Sequence, residues 1–198
     1  MFRKIVLGSL AVACLGSSAV AETEDGLYGV AVPADAIFVR AVGVDTPTFD
    51  VLGRSLTSEE LPDGIFVAFA PEALPLGVPN AHYSVFIGSE DMPIVIKEAN
   101  RENPSKVYLT LINLDADDAA LAVAGGGPDV IANVGTGAAA SRGVNPVSVT
   151  LEARVAETSQ EVEIKLARKQ HMTFVARADG SVEVLKDTYG PVFEGASK

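Results

Sequence analysis

Short apolar segments separated by polar, turn-forming residues make up most of the chain. They are rich in Val, Ile and Phe and are bounded by Gly, Pro, Asn and Asp, which is typical of strands joined by turns. In VSVTLEARV, alternate residues from Val147 to Val155 share one face, as in a strand with one buried side. The pattern predicts an all-β fold with strands at 37–42, 65–69, 83–87, 94–96, 107–112, 130–134, 147–153, 161–166, 173–176 and 182–185.

Few segments favour any other structure. LTSEEL could form one helical turn, with Thr57 or Ser58 as its cap. The stretches AGGGPD and GTGAAASRG are predicted to be loops, because no amphipathic helix follows to offer its N-terminus to a phosphate. DADD, from Asp115 to Asp118, lacks the Gly and the closing Glu of a calcium loop and is predicted to be a solvated turn.

An internal repeat divides the chain into two similar units. HYSVFIGSEDMPIVIKE, which starts at His82, aligns without a gap with HMTFVARADGSVEVLKD, which starts at His171, and each copy is predicted to be a hairpin that closes its unit. The openings FVRAVGVD and YLTLINLD also correspond. The repeat predicts two tandem β-sandwich domains, at 22–102 and 103–198, that meet near 100–106.

The first 21 residues have the features of a cleaved signal peptide. Arg3 and Lys4 precede an apolar run over 5–15, and Ala19-Val20-Ala21 supplies a small-residue cleavage site. The run is too short to span a membrane, so the mature protein is expected to be periplasmic with no transmembrane segment. Lipidation of Cys14 is the less favoured alternative, since Ala11 stands where a lipoprotein site usually has Leu.

Charge and cysteine content exclude several functions. The formal net charge is −11, and cleavage would remove two more basic residues, so nucleic acid is not an expected partner. The same charge disfavours direct binding of an acidic polysaccharide. Cys14 is the only cysteine, so the mature chain can form neither a disulfide nor a Cys-ligated metal site, and it has no Cys nucleophile.

A catalytic constellation is not apparent in the sequence. His82 and His171 are the only histidines, and they occupy matching repeat positions, which favours a structural role. The sequence contains no G-x-S-x-G elbow, no Asp-x-x-His pair and no H-x-H or H-E-x-x-H metal motif. There is also no Trp on which a sugar could stack. We therefore predict no enzyme activity, no cofactor and no metal.

Three motifs, in order along the chain, resemble the periplasmic alginate O-acetylation protein family of the AlgF type. The first comprises Leu27-Tyr28-Gly29, Pro33 and Phe38-Val39-Arg40, the second is VYLTLINLDADDAAL, and the third is SRGVNPVSVTL around Asn145-Pro146-Val147. One departure is Gly43, where the family pattern leads us to expect Asn. The second unit has Asn113 at the equivalent place.

The resemblance implies a non-catalytic adaptor with two β-sandwich domains. Such proteins are required for the O-acetylation of alginate at O-2 and O-3 of mannuronate. They work with periplasmic O-acetyltransferases and a membrane-bound acyltransferase. Which polymer this chain serves, which partner each domain binds and its oligomeric state stay open at the level of sequence.

Two other functions remain as alternatives, together with four candidate interface residues. The chain could carry or transfer acetyl itself, with a hydroxyl of TGAAAS as acceptor, or it could be a carbohydrate-binding sandwich. The candidate interface residues are Tyr28, Arg40, Arg142 and Asn145. For Arg40 the preferred interpretation is an ordinary solvent-facing strand residue, with a partner contact second. Asn145-Pro146 is expected to fix how the chain enters the next strand.

Overall fold

A computed structural model describes residues 31–88, 92–101 and 103–193, which form strands apart from one short 3₁₀ helix, Pro71–Ala73. The fold class predicted from the sequence is confirmed. The strands are β1 Ile37–Ala41, β2 Thr48–Val51, β3 Arg54–Thr57, β4 Ile65–Phe69, β5 His82–Ile87, β6 Pro93–Glu98, β7 Val107–Asn113, β8 Ala119–Val123, β9 Asp129–Val134, β10 Ala138–Val144, β11 Ser148–Val155, β12 Thr158–Lys165, β13 Met172–Ala176, β14 Val182–Lys186 and β15 Thr188–Val192. The predicted signal segment and Tyr28 lie outside the described residues.

Three sheets and a hairpin organise these strands. Sheet 1 has the order β15-β4-β1-β5-β6, sheet 2 has β10-β7-β13-β14, and sheet 3 has β12-β11-β8-β9, while β2 and β3 form a separate hairpin. The last strand, β15, pairs in parallel with β4, so the end of the chain completes the sheet of the first unit. The domain boundary at 102/103 stays a prediction.

Each unit has its own hydrophobic core. In the first unit, the hairpin and the segment around the 3₁₀ helix cover one face of sheet 1, where Phe49, Leu56 and Leu74 pack against Val39 and Phe69 of the sheet. In the second unit, sheets 2 and 3 form a sandwich around Leu111, Leu121, Leu151 and Phe174. Burial of these apolar side chains stabilises each unit, at about 25 cal/mol per Å² removed from water.

The opposite face of sheet 1 packs against sheet 2. A third cluster joins Val42, Phe86 and Ile96 of the first unit to Ile112 and Val175 of the second. These residues match in the internal repeat: Phe86 corresponds to Val175 and Ile96 to Leu185, 89 positions apart, and Val42 corresponds to Ile112 in the aligned openings. The units therefore meet through equivalent faces, as two subunits of a symmetric dimer would.

Register confirms the repeat at the level of backbone pairing. In the first unit, β1 and β5 run parallel with Arg40 beside Ser84. In the second, β7 and β13 run parallel with Thr110 beside Thr173. The hairpins β5–β6 and β13–β14 pair antiparallel, with Ser84 opposite Ile96 and Thr173 opposite Leu185. The repeated sequence thus builds the same four-strand arrangement twice.

The prediction of a loop at GTGAAASRG was wrong. Residues Ala138–Val144 form β10, which pairs with β7 over its whole length. Ala, Gly and Ser have low strand propensity, so the local pattern gave no strand signal. Pairing with β7, whose seven residues are all buried, supplies the missing stabilisation. Asn145-Pro146-Val147 then links β10 of sheet 2 to β11 of sheet 3, as expected for the entry into that strand.

Candidate functional site at the junction of the two units

Arg40 lies at the centre of the junction and is fully buried. Its position on β1 alternates with Val39, whose side chain enters the first core, so Arg40 faces sheet 2. We predicted a solvent-facing side chain, and this was wrong. The strand alternation is as expected, but the second face of sheet 1 is covered by the other unit instead of by water.

The guanidinium of Arg40 binds an equivalent hydroxyl–carboxylate pair in each unit. In the first unit it donates to Ser84 Oγ at 2.8 Å and to Glu98 Oε1 at 2.9 Å, while Ser84 also donates to Glu98. In the second it donates to Thr173 Oγ1 and to Asp187 Oδ1, both at 2.8 Å, while Thr173 donates to Asp187. One arginine thereby joins both copies of the repeat.

A second arginine from the segment between the units completes the network. Arg101 pairs with Glu98 Oε2 at 3.0 Å and with Asp187 Oδ2 at 2.6 Å, and it also donates to the hydroxyl of Tyr189. Two guanidinium groups therefore balance two buried carboxylates. Burial alone would raise the pKa of Asp187, but the charges of Arg101 and then Arg40 hold it below its ordinary value.

Aromatic rings enclose this charge network on one side. Phe38 stacks on His82 with ring centroids 4.7 Å apart, and Tyr189 stacks on Phe66 at 5.4 Å. The guanidinium of Arg40 lies over the Phe66 ring at 4.3 Å. Tyr189 also contacts His82 through its hydroxyl, which lies 3.1 Å from Nε2.

Both histidines stay neutral at physiological pH. Burial, and then the nearby charge of Arg101, lower the pKa of His82 to about 3. Burial followed by Arg101 also lowers the pKa of His171, whose Nδ1 accepts a hydrogen bond from the backbone N–H of Tyr108. A general base works best with a pKa near the working pH. These environments instead favour the structural role predicted from the matching positions of the two histidines.

A cleft of about 520 Å³ opens beside the network, at the junction. Aromatic and apolar side chains form most of its wall, and two cationic side chains, Arg101 and Lys169, border it. The volume lies within the range of roughly 300–1,000 Å³ that is typical of ligand clefts. The residues that line it come from both units: Val32, Phe38, Ala68, His82, Arg101, Pro104, Lys169, His171, Tyr189 and Gly190.

The other candidate residues do not join Arg40. Arg142 is exposed on β10 and donates to the backbone carbonyls of Asp129 and Val130. Asn145 is exposed and accepts a hydrogen bond from Lys106 Nζ at 2.7 Å. Tyr28 lies outside the described residues. Only Arg40, among the described candidates, belongs to the junction, and the interface role of the four stays a prediction.

Several residues of the site were missed or misjudged from the sequence. Glu98 and Asp187 align in the repeat, and this coincidence was the one available signal of a shared role. Tyr189 and Phe193 lie late in the chain, far in sequence from the first unit. However, Tyr189 bonds Arg101 and His82, and Phe193 stacks on Phe69 at 4.7 Å. The pairing of β15 with β4 brings both rings back onto the first unit.

The hydroxyls proposed as acetyl acceptors are engaged elsewhere. Ser141 Oγ lies 2.8 Å from Thr110 Oγ1, and Thr136 donates to the carbonyl of Ala116. Neither hydroxyl is hydrogen-bonded to a histidine, which a Ser-His nucleophile requires. Among the described residues, no group of three His, Cys, Asp or Glu side chains is arranged to hold a metal ion.

Gly43 stands where the family pattern has Asn, and the turn around it differs from the equivalent turn in the second unit. Asn113 is buried and its side chain donates to the carbonyls of Asp117 and Val134, which fixes the turn after β7. At the equivalent place, Gly43 has φ +64°, and its backbone N–H donates to Asp63 Oδ1. A glycine adopts this left-handed conformation at little cost, and here a carboxylate that accepts from the backbone holds the turn, instead of an amide that donates to it.

Within the described residues, no helix is long and apolar enough to cross a membrane. No family model matches the chain. Solved structures of the C-terminal and N-terminal domains of AlgF from P. aeruginosa match 41% and 44% of this chain and 98% and 99% of those chains, with sequence identities of 24% and 16% and TM-scores of 0.37 and 0.34.

A curated protein aligns over a longer stretch. The alginate biosynthesis protein AlgF of Pseudomonas aeruginosa is 28% identical to this chain over 156 residues, which cover 72% of this chain and 71% of that protein. The three motifs identified in the sequence had suggested this relationship independently. The predicted resemblance of the chain to the AlgF-type family is thereby confirmed.

Proposed function

We propose that the chain is a non-catalytic periplasmic adaptor required for O-acetylation of an exopolysaccharide, with alginate as the substrate. Its similarity to an alginate biosynthesis protein supports a role in alginate biosynthesis. The proposed partners are periplasmic O-acetyltransferases and the membrane-bound acyltransferase that supplies them. In this role the chain would hold two enzymes, or an enzyme and the export machinery, at a fixed separation.

The junction is the observation that carries this proposal. An adaptor that couples two enzymes needs its binding surfaces in a constant relative orientation. The buried Arg40 network, the shared cluster around Phe86 and the return of β15 to sheet 1 all restrict motion between the units. Exposed apolar side chains remain on the surface for partner contacts, among them Leu76, Val78, Met92 and Val147.

Gene deletion with complementation tests the proposal. Deleting the gene in a producing strain should abolish polymer acetylation while polymer synthesis continues, and the wild-type gene should restore it. The purified protein should bind a purified acetyltransferase of the same gene cluster. Unchanged acetylation in the deletion strain would rule out the adaptor role. Transfer of acetyl to the purified protein from a donor would support the acetyl-carrying alternative instead.

A further inference from the structure

The junction cleft has a composition that differs from the rest of the molecule. The chain carries a formal net charge of −11, yet among the described residues the charged side chains that line this cleft, Arg101 and Lys169, are both cationic. The rings of Phe38 and Tyr189 and the aliphatic side chain of Val32 also line the cleft. Tyr189 is 44% exposed and Val32 is 53% exposed, so the cleft presents apolar surface to solvent.

Lys169 is held in an unfavourable backbone conformation at the edge of the cleft. Its φ is +65°, at the third position of a turn in which the N–H of Gln170 donates to the carbonyl of Ala167. Glycine or asparagine adopts this conformation at lower cost than lysine does. This turn leaves the Lys169 side chain, and with it a positive charge, at the wall of the cleft.

Among the described residues, most polar groups that line the cleft are bound by the protein itself, and the atoms without a partner, Arg101 Nε and His82 Nδ1, are shielded from solvent. Arg101 is bound to Glu98, Asp187 and Tyr189, and the hydroxyl of Tyr189 also contacts His82. A sugar residue brings several hydroxyls, each of which loses its hydrogen bonds to water on entry and needs a new partner. An apolar side chain needs none, so the wall is better suited to an apolar group accompanied by one charge.

We propose that this cleft is a docking site for an extended acidic segment of a partner protein. The segment would place an apolar side chain against the Phe38 and Tyr189 rings and an adjacent carboxylate beside Lys169. This inference rests on the proposed function only in taking the partner to be a protein. Attraction between Lys169 and the carboxylate would favour binding in the cleft, whereas the remainder of the acidic surface repels such a segment and disfavours its binding elsewhere.

A labelled peptide tests the site on the full mature protein. The probe is fluorescein-GSFDEGS, with GSGDEGS and GSFNQGS as controls that remove the apolar side chain or the charges. We expect saturable polarisation changes with the probe at micromolar to millimolar dissociation constants, and binding at least about tenfold weaker for each control. NMR signals of His82, His171 and Tyr189 should shift on titration.

Substitutions of Lys169 provide matched variants that leave the buried network intact. Lys169→Glu should weaken probe binding by about tenfold or more, whereas Lys169→Arg should bind within about twofold of wild type. Lys169→Gly should bind weakly yet melt at the same or a higher temperature, because glycine relieves the positive φ. Equal binding by the Glu and Arg variants would overturn the proposal.

Other occupants give distinct results. Saturable binding of oligomannuronate, competing with the probe, would overturn the proposal in favour of a carbohydrate site. A large gain in probe affinity on deleting residues 22–30 would assign the cleft to the chain's own acidic N-terminal segment and also overturn it. If a purified acetyltransferase binds wild type and Lys169→Glu equally, docking at this cleft fails while the adaptor role stands. If only the peptide binds, the adaptor role fails and the docking site stands.

Discussion

Arg40 shows how a single side chain can depend on two halves of a molecule. Its four hydrogen bonds reach acceptors on β5, β6, β13 and the residue after β14, so it is satisfied only when both units are in place. Removing one member of a buried ion network leaves the partner charges without compensation, which costs more than the network contributes in total.

We expect Arg40→Met to lower the free energy of unfolding by about 3–5 kcal/mol. Methionine retains much of the apolar length of the side chain, but it leaves Ser84 and Thr173 without their donor and two carboxylates with Arg101 alone. Chemical denaturation followed by circular dichroism measures the change. Arg142→Met, an exposed substitution of the same chemistry on β10, should change stability by less than about 0.5 kcal/mol. Comparable losses in the two variants would contradict the role assigned to Arg40.

Acid should destabilise the protein through His82. The unfolded state takes up a proton near the ordinary pKa of 6.5, whereas the folded state does so only near pH 3. Stability is therefore fully present above about pH 6.5 and falls as the pH is lowered through this window, by up to about 1.4 kcal/mol per pH unit. As the pH falls below the ordinary aspartate pKa of 3.8, protonation of Asp187 lowers the stability further, since its pKa in the folded state is also lowered.

Replacing His82 with Gln isolates this contribution. The amide can still hydrogen-bond the Tyr189 hydroxyl, but it does not titrate. Denaturation midpoints measured from pH 7 to pH 4 should fall less steeply in His82→Gln than in wild type, with the remaining slope due partly to His171. Parallel curves for the two proteins would mean that folding does not lower the pKa of His82.

Among the elements, β15 is the strand most dependent on a close backbone approach. Gly190 lies next to β4 within sheet 1, where an added Cβ would come 2.9 Å from Ile65 Cγ2. Gly190→Ala should therefore lower stability by about 1–3 kcal/mol, as overpacking does. Gly143→Ala, in β10, would place its Cβ no closer than 3.4 Å to its neighbours and should be neutral or slightly stabilising. Thermal unfolding of both variants measures the difference, and equal effects would contradict the tight packing of β15.

The same two strands show which elements the sequence could predict. Runs such as 107–112 were recognised because their β-branched and aromatic residues carry the strand signal locally. In β10 that signal is absent, and β15 contains Gly190 and Pro191, which interrupt a strand pattern. Proline is tolerated there because β15 is an edge strand of sheet 1. Both strands are stabilised by pairing with strands that are distant in sequence. A short stretch of sequence does not contain those partners, so it cannot predict the strand.

The candidate site was less predictable than the fold for a related reason. Alternation on β1 correctly separated Val39 from Arg40, but it could not show that the second face of sheet 1 is covered. That face is buried by residues more than 100 positions away, Thr173 and Asp187 among them. The repeat did indicate that Glu98 and Asp187 have matching positions, and in the structure both carboxylates bind the same arginine, Arg40.

For the whole molecule, the junction decides whether the two units behave as one body. Within the part of the chain that the structure describes, the junction cluster has five buried residues, against fifteen in the core of the second unit and thirteen in the core of the first. The junction is therefore the smallest of the three cores. Its charge network and the return of β15 nevertheless tie the units together, so the wild-type protein should unfold in one cooperative transition.

We expect the double variant Arg40→Met/Phe86→Ala to unfold in two separate steps. Phe86→Ala removes the largest apolar side chain of the junction cluster, at a cost of about 3–5 kcal/mol, and Arg40→Met removes the link between the repeats. Differential scanning calorimetry measures this as a calorimetric enthalpy above the van't Hoff value. Leu121→Ala, inside the second core, should lower the single transition temperature without splitting it. A single transition in the double variant would show that the units are coupled without Arg40 and Phe86, and two transitions in wild type would show that the junction does not couple them. An adaptor that relies on a fixed separation between its partners would then need another source of rigidity.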